Sequence, residues 1–159
     1  REGKGFTLIE ILVVIGIVAI LATIAVVAIN PARQFAQARN TERVAHINTI
    51  LNAIGQRITD NKGLFPVATG CLTALSTTTV YTIGTSTVTV IPNGVDMSCL
   101  VPTYIAQMPV DPNGGFWTSA SDYNTLYKLT VNDLGRYTVS APNSIEVSLP
   151  GSAVASVTR

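Results

Sequence analysis

One carboxylate stands where carboxylates are rarely found. Glu10 lies at the start of an aliphatic run that continues without charge or proline from Ile11 to Ile29. Placing a carboxylate in hydrocarbon costs about 2.5–3.5 kcal/mol on insertion scales, so an ionisable group there is read first as functional. Its chemistry would be that of a charge awaiting a partner in the apolar phase, because two opposite charges buried together cost far less than either alone. The plainer reading is a solvated residue at a helix mouth, eased by the helix dipole.

Other candidates are thinner. His46 is the single histidine, placed beside an apolar stripe and near Arg57 on the helical wheel, where a satisfied or exposed helix histidine is expected. No serine sits in a nucleophile elbow and no Cys–His pair is signalled, so no catalytic residue is assigned. Asp111, Asp122 and Asp133 all lie near turns and give paired-carboxylate chemistry little support. Solvated turn residues are the alternative. No resident metal or cofactor is called, since two cysteines and one histidine do not make a zinc set.

The elements that must position Glu10 follow from composition. The 159 residues suit one domain, yet 47% are hydrophobic, 12% are charged and the mean hydropathy is +0.40. Average soluble domains carry about 25% charged residues. The chain therefore belongs to a membrane protein or a partly membrane-embedded one. The net charge of +1 argues against a dedicated nucleic-acid module, and the apolar content against disorder. From Phe6 to Ile29 there are 24 residues. As a helix they reach roughly 36 Å, enough for a hydrocarbon core about 30 Å thick. A secretory signal peptide is the rival, but the run is longer than such a core and leads straight into an amphipathic helix. Arg1 and Lys4 precede the run, which places the N-terminus in the cytoplasm and the remainder outside it.

Lys4-Gly5-Phe6-Thr7-Leu8-Ile9-Glu10, followed by the aliphatic helix, resembles the processing site of bacterial type IV pilins and of the pseudopilins of type II secretion. That resemblance implies cleavage between Gly5 and Phe6 by a membrane-embedded prepilin peptidase. It also implies N-methylation of Phe6, and pairing of Glu10 with the α-amine of a neighbour's Phe6. The cut would remove Arg1, Glu2 and Lys4 and create that amine. The implied fold is α+β, a long N-terminal helix whose second half packs on a small antiparallel sheet. The implied organisation is a leader remnant at 1–5, a membrane and filament-core helix at 6–29, an amphipathic helix at 30–60 and an extracytoplasmic β-rich head at 61–159. The implied role is a filament subunit, with no enzymatic activity. It waits in the cytoplasmic membrane and is assembled by pilus machinery into an extracellular homopolymer, with DNA or surfaces as further contacts. A major pseudopilin of a secretion or DNA-uptake machine is the first alternative. A membrane-anchored binding protein that never polymerises is the second. The stretch Tyr104–Pro112, ending Val110-Asp111-Pro112, resembles a loop of major pseudopilins and compact pilins. Major pseudopilins bind calcium in this region, so the resemblance implies a calcium site from Asp111, Asn113 and Asp122, although their spacing does not match an EF-hand loop.

Asn30-Pro31 reads as an N-cap with proline at the first turn, hence a kink or fresh helix start. Beyond it, Val44, Ile47, Ile50, Leu51, Ile54 and Ile58 recur on one face up to about Asp60. Pro31–Arg43 holds only Phe35 as a large apolar residue, so this half is expected to stand free or meet neighbours. Gly16, Ala19, Ala22, Ala25 and Ala28 recur every three residues, as close helix contact in an apolar phase would want; generic small-residue content is the alternative.

In the head, Thr78–Ile83 and Thr87–Ile91 read as a hairpin, Val101–Met108 as a short helical turn, and Tyr123–Val131, Arg136–Ala141 and Ile145–Leu149 as strands. Gly151–Arg159 is expected to be loose. Cys71 and Cys99 enclose 27 residues. Outside the cytoplasm they are expected to be oxidised to each other, a closure worth about 3–4 kcal/mol in the chain-entropy model. Two buried thiols are the alternative.

Overall fold

The computed structural model describes residues 5–65, 71 and 75–159. Helix α1 spans Leu8–Ile29 and helix α2 spans Pro31–Asp60. A single residue separates them. Asn30 adopts a left-handed conformation (φ 47°, ψ 78°), which asparagine tolerates better than most residues. Its side-chain Oδ1 accepts from the Arg33 amide at 3.3 Å, starting α2 afresh. Pro31 at the first turn has no N–H to leave unsatisfied.

Every residue of α1 is exposed, and the helix is long and apolar enough to cross a membrane. Nothing among the described residues covers it. By contrast α2 buries Ile47, Ile50, Leu51, Ala53 and Ile54. Each aliphatic side chain so buried contributes about 1.5–3 kcal/mol. Val44 stays 43% exposed, off the edge of the stripe.

The sheet against that face has six strands: β1 (Tyr81–Thr85), β2 (Gly94–Val95), β3 (Phe116–Ser119), β4 (Asp122–Val131), β5 (Tyr137–Ala141) and β6 (Ala155–Thr158). The order is β2-β1-β4-β5-β6, with β3 also on β4. Long β4 is the spine: β1 lines one edge, while β3 pairs its start and β5 its end. Strict alternation along β4 sends Tyr123, Thr125, Tyr127 and Leu129 inward, where they meet Ile83, Val139, Ala141 and the α2 stripe. Thus the architecture is α+β, with a helix packed on the sheet.

The sheet is antiparallel apart from the two-residue edge strand β2, which runs parallel to β1, with Thr82 opposite Gly94 and Ile83 opposite Val95. Three expectations need correction. No hairpin forms with Thr87–Ile91; Gly94–Val95 takes the β1 edge, and Val88 and Val90 remain 85% and 95% exposed. Gly84 is required in β1, since a Cβ there would meet the Tyr123 carbonyl at 2.8 Å. Ile145–Leu149 is not a strand, and Val147 is fully exposed. The C-terminus is not loose: β6 pairs four residues with β5, and Arg159 exchanges backbone hydrogen bonds with Tyr137. Ala155 and Val157 pack on the core, which supplies the reason. At 101–105 the chain makes turns after a short 3-10 segment at Ser98–Leu100, held by Tyr104 and Ile105 amides on the Leu100 carbonyl.

Candidate functional site

Helix α1 begins with a reciprocal cap. Thr7 is extended (φ −82°, ψ 151°) and its Oγ1 accepts from the Glu10 amide at 3.3 Å. In return Glu10 Oε2 accepts from the Thr7 amide at 2.9 Å and the Thr7 hydroxyl at 2.8 Å. Two orphan donors of the first turn are satisfied this way. Threonine followed three residues later by glutamate is the sequence signal of this cap, a spacing that the reading of Glu10 as a lone charge leaves out. The carboxylate is therefore anchored at the helix mouth through one oxygen. Among the described residues Oε1 accepts no hydrogen bond. Phe6 lies beside this cap and is 84% exposed, as is most of the apolar surface that follows.

The arrangement suits a surface that must be covered by something else. Leu8, Ile9, Leu12, Ile15, Ile20 and Leu21 are each more than half exposed. Thr23 returns its hydroxyl to the Ala19 carbonyl at 2.9 Å, so the one polar side chain inside the run costs little in an apolar phase.

A second cluster lies at the junction of α2 and the sheet. Arg43 is fully buried and forms a bidentate pair with Asp111, Nε to Oδ2 at 2.8 Å and Nη2 to Oδ1 at 3.1 Å. Its Nη1 donates to Glu146 Oε1 at 2.6 Å and to Asn40 Oδ1 at 2.8 Å. Arg39 grips the same Glu146 with two bonds, at 2.9 and 2.8 Å. Two arginines thus balance two carboxylates, which is the condition under which buried charge is tolerated. Asp111 is held in place from behind, its amide donating to the Thr125 carbonyl and its own carbonyl accepting from Gly115. Leu126, at φ 62°, bulges β4 next to that contact.

Pro31–Arg43 therefore does not stand free. Asn40 donates to the Ser144 carbonyl at 2.9 Å, Ala36 is fully buried, and the segment after β5 is strapped across the helix. Sequence reasoning missed this cluster. The available signal was Arg43, four residues before Ile47 and hence on the apolar stripe itself.

Of the calcium candidates, Asp111 has both oxygens committed to Arg43, with Oδ1 also accepting from the Asn113 amide, and Asp122 accepts from the Ser86 hydroxyl at 2.8 Å. No group of three His, Cys, Asp or Glu gathers among the described residues. His46 Nδ1 lies 2.9 Å from the Tyr127 hydroxyl, and Nε2 lies 3.8 Å from Glu42. The first joins α2 to β4, and the second is a pair one turn apart within α2. Cys71 and Cys99 are joined in a disulfide, with Cα atoms 5.3 Å apart.

The two guanidinium groups, Arg39 first and Arg43 second, hold the Glu146 carboxyl down at about 2. An unfolded glutamate titrates near 4.3. Since the folded value is depressed, the stabilisation is complete above about pH 4.3 and is lost as the pH falls towards 2. Unfolding temperature of the full chain, followed from pH 6 down to pH 2, should show that loss. Glu146→Gln should be less stable at pH 6 and should show a shallower acid dependence. Identical pH profiles would overturn the assignment.

No curated protein and no solved structure matches the chain. Residues 3–26 match the family model described as the prokaryotic N-terminal methylation motif, which covers the cap, Glu10 and most of α1. The N-terminal segment of this chain thus carries a prokaryotic N-terminal methylation motif on an apolar helix, consistent with the class III signal of type IV pilin-like proteins.

Proposed function

We propose that the chain is the structural subunit of a type IV pilus filament. Carrying this reading is one observation: a matched methylation motif leads into a 22-residue apolar helix that the described residues leave uncovered along its whole length. Such a surface needs lipid or other copies of itself. In the precursor, lipid covers α1 and the protein is anchored in the cytoplasmic membrane. Prepilin peptidase cuts between Gly5 and Phe6, and Phe6 is methylated. In the filament, α1 helices of neighbouring copies replace the lipid, and Glu10 turns its unused oxygen to a neighbour's Phe6 amine. Asn30-Pro31 lets α1 change direction relative to the head without disturbing α2. The heads form the outer surface, and the disulfide closes the Cys71–Cys99 loop there. Asp111, Asn113 and Asp122 are left without a metal in this reading.

The test is the N-terminal peptide mass of protein sheared from the surface of its native cells. A start at methylated Phe6 is expected. Material found only with membranes and beginning at or before Arg1 would sink the reading.

A further inference from the structure

The head carries a turn and a groove whose chemistries match and which lie at its opposite ends. The turn is Asn132–Gly135, between β4 and β5. Leu134 projects from it, 79% exposed, next to exposed Asp133. The turn is held rigid by Asn132, whose Oδ1 accepts from the amides of Leu134 and Arg136 at 3.0 and 2.9 Å. No ion-pair partner for Asp133 occurs among the described residues.

The groove, of about 590 Å³, lies between the first turns of α2 and the segment following β5. Arg33, Gln37, Asn40, Leu149, Pro150 and Ser152 line it. Arg33 is its charged residue, exposed and likewise without an ion-pair partner among the described residues. Leu149 and Pro150 make an apolar wall. An acid beside an exposed leucine thus answers an arginine beside an apolar wall.

Their placement decides what kind of contact this can be. Tyr137, just after the turn, packs on Phe65 and pairs with Arg159, whose side chain reaches Asn48 and Asn52 of α2. The other end of β5 leads to Ser144, bonded to Asn40. Asn40 and Asn52 are about 18 Å apart along the helix axis. The turn lies beyond the Asn52 end and the groove at the Arg33–Asn40 end, so one copy cannot fill its own groove. Two copies joined this way make a heterologous contact, leaving a free turn on one and a free groove on the other. Contacts of that kind build rings or open helical arrays rather than closed dimers.

We infer that the Asn132–Gly135 turn of one copy docks in the Arg33–Leu149–Pro150 groove of the next, Asp133 pairing with Arg33 and Leu134 lying on Pro150. The contact rests on the polymer reading, but is formed by the heads and not by α1. The experiment uses the full chain in cells that assemble it, with sheared surface filaments quantified. Arg33→Asp and Asp133→Arg, both on exposed side chains, should each lower filament yield severalfold, and the two together in one chain should restore it. Copies carrying Arg33→Cys mixed with copies carrying Asp133→Cys should yield a disulfide-linked two-chain band from filaments. Normal yields from both single reversals, or a swap that fails to rescue with no linked band, would overturn the contact while leaving the polymer reading intact; in the second case an acidic loop of another protein is the occupant. Absence of any filament from the unaltered chain would overturn both.

Discussion

Glu10→Leu is expected to leave the protein in the membrane and to abolish surface filaments. Removing the carboxylate makes α1 more apolar, so insertion is not impaired. On the proposed pairing, what is lost is the partner of a neighbour's α-amine. Breaking a buried ion pair from one side costs about 3–5 kcal/mol, because the remaining charge is left uncompensated. That is roughly two to three and a half powers of ten in affinity at each subunit contact. The capping role of Glu10 complicates the reading of leucine alone, since the Thr7 amide and hydroxyl also lose their acceptor. Glu10→Gln separates the two effects. Glutamine can still serve in the reciprocal cap with Thr7, but it carries no charge. If pairing is the function, Gln fails like Leu; if capping is all that matters, Gln retains filaments. Normal filaments from Glu10→Leu would remove both roles. The readout is filament yield after shearing, set against membrane-bound subunit in the same cells.

The second large effect is expected far from α1. Arg43→Met should destabilise the head by about 3–5 kcal/mol, read as a shift in denaturant midpoint or unfolding temperature. Arg43 and Asp111 both have side chains fully shielded from solvent. Methionine fills much of the arginine volume, so the loss comes from leaving Asp111 buried and unpaired, and Glu146 with Arg39 alone. Arg43→Met combined with Asp111→Leu should recover most of the stability, because apolar replacement of a whole buried pair is often neutral. A single variant within 1 kcal/mol of the parent chain would mean that water reaches the cluster. Filament assembly should follow head stability here, in contrast to Glu10→Leu, where the head stays folded.

Much of this protein was legible from local pattern. The aliphatic run, the Gly5-Phe6 junction and Glu10 are contiguous, so their chemistry is written in neighbouring residues. Asn30-Pro31 breaks the helix by its own backbone preferences, with no help from tertiary contacts. The α2 stripe follows from a 3.6-residue period, and β4 from a two-residue period, because each is a repeat within one element. Even the Thr7–Glu10 cap was there to be read at a spacing of three.

Strand pairing and the charge cluster were decided elsewhere. Whether β1 pairs with Thr87–Ile91 or with Gly94–Val95 depends on which segment reaches a free sheet edge, and short apolar runs do not record that. β6 is a strand because Ala155 and Val157 find the core, and Val147 is not one because Glu146 is drawn inward to Arg39 and Arg43. Arg43 meets Asp111 and Glu146 across 68 and 103 residues of chain. The pairing leaves no periodic trace at such separations: Arg43 stands out on the apolar stripe, but nothing local names Asp111 or Glu146 as its partners. Local backbone preference and apolar period therefore determined the elements and the N-terminal motif segment. Only the folded chain, by choosing which charges leave water together, determined what locks the head to its helix.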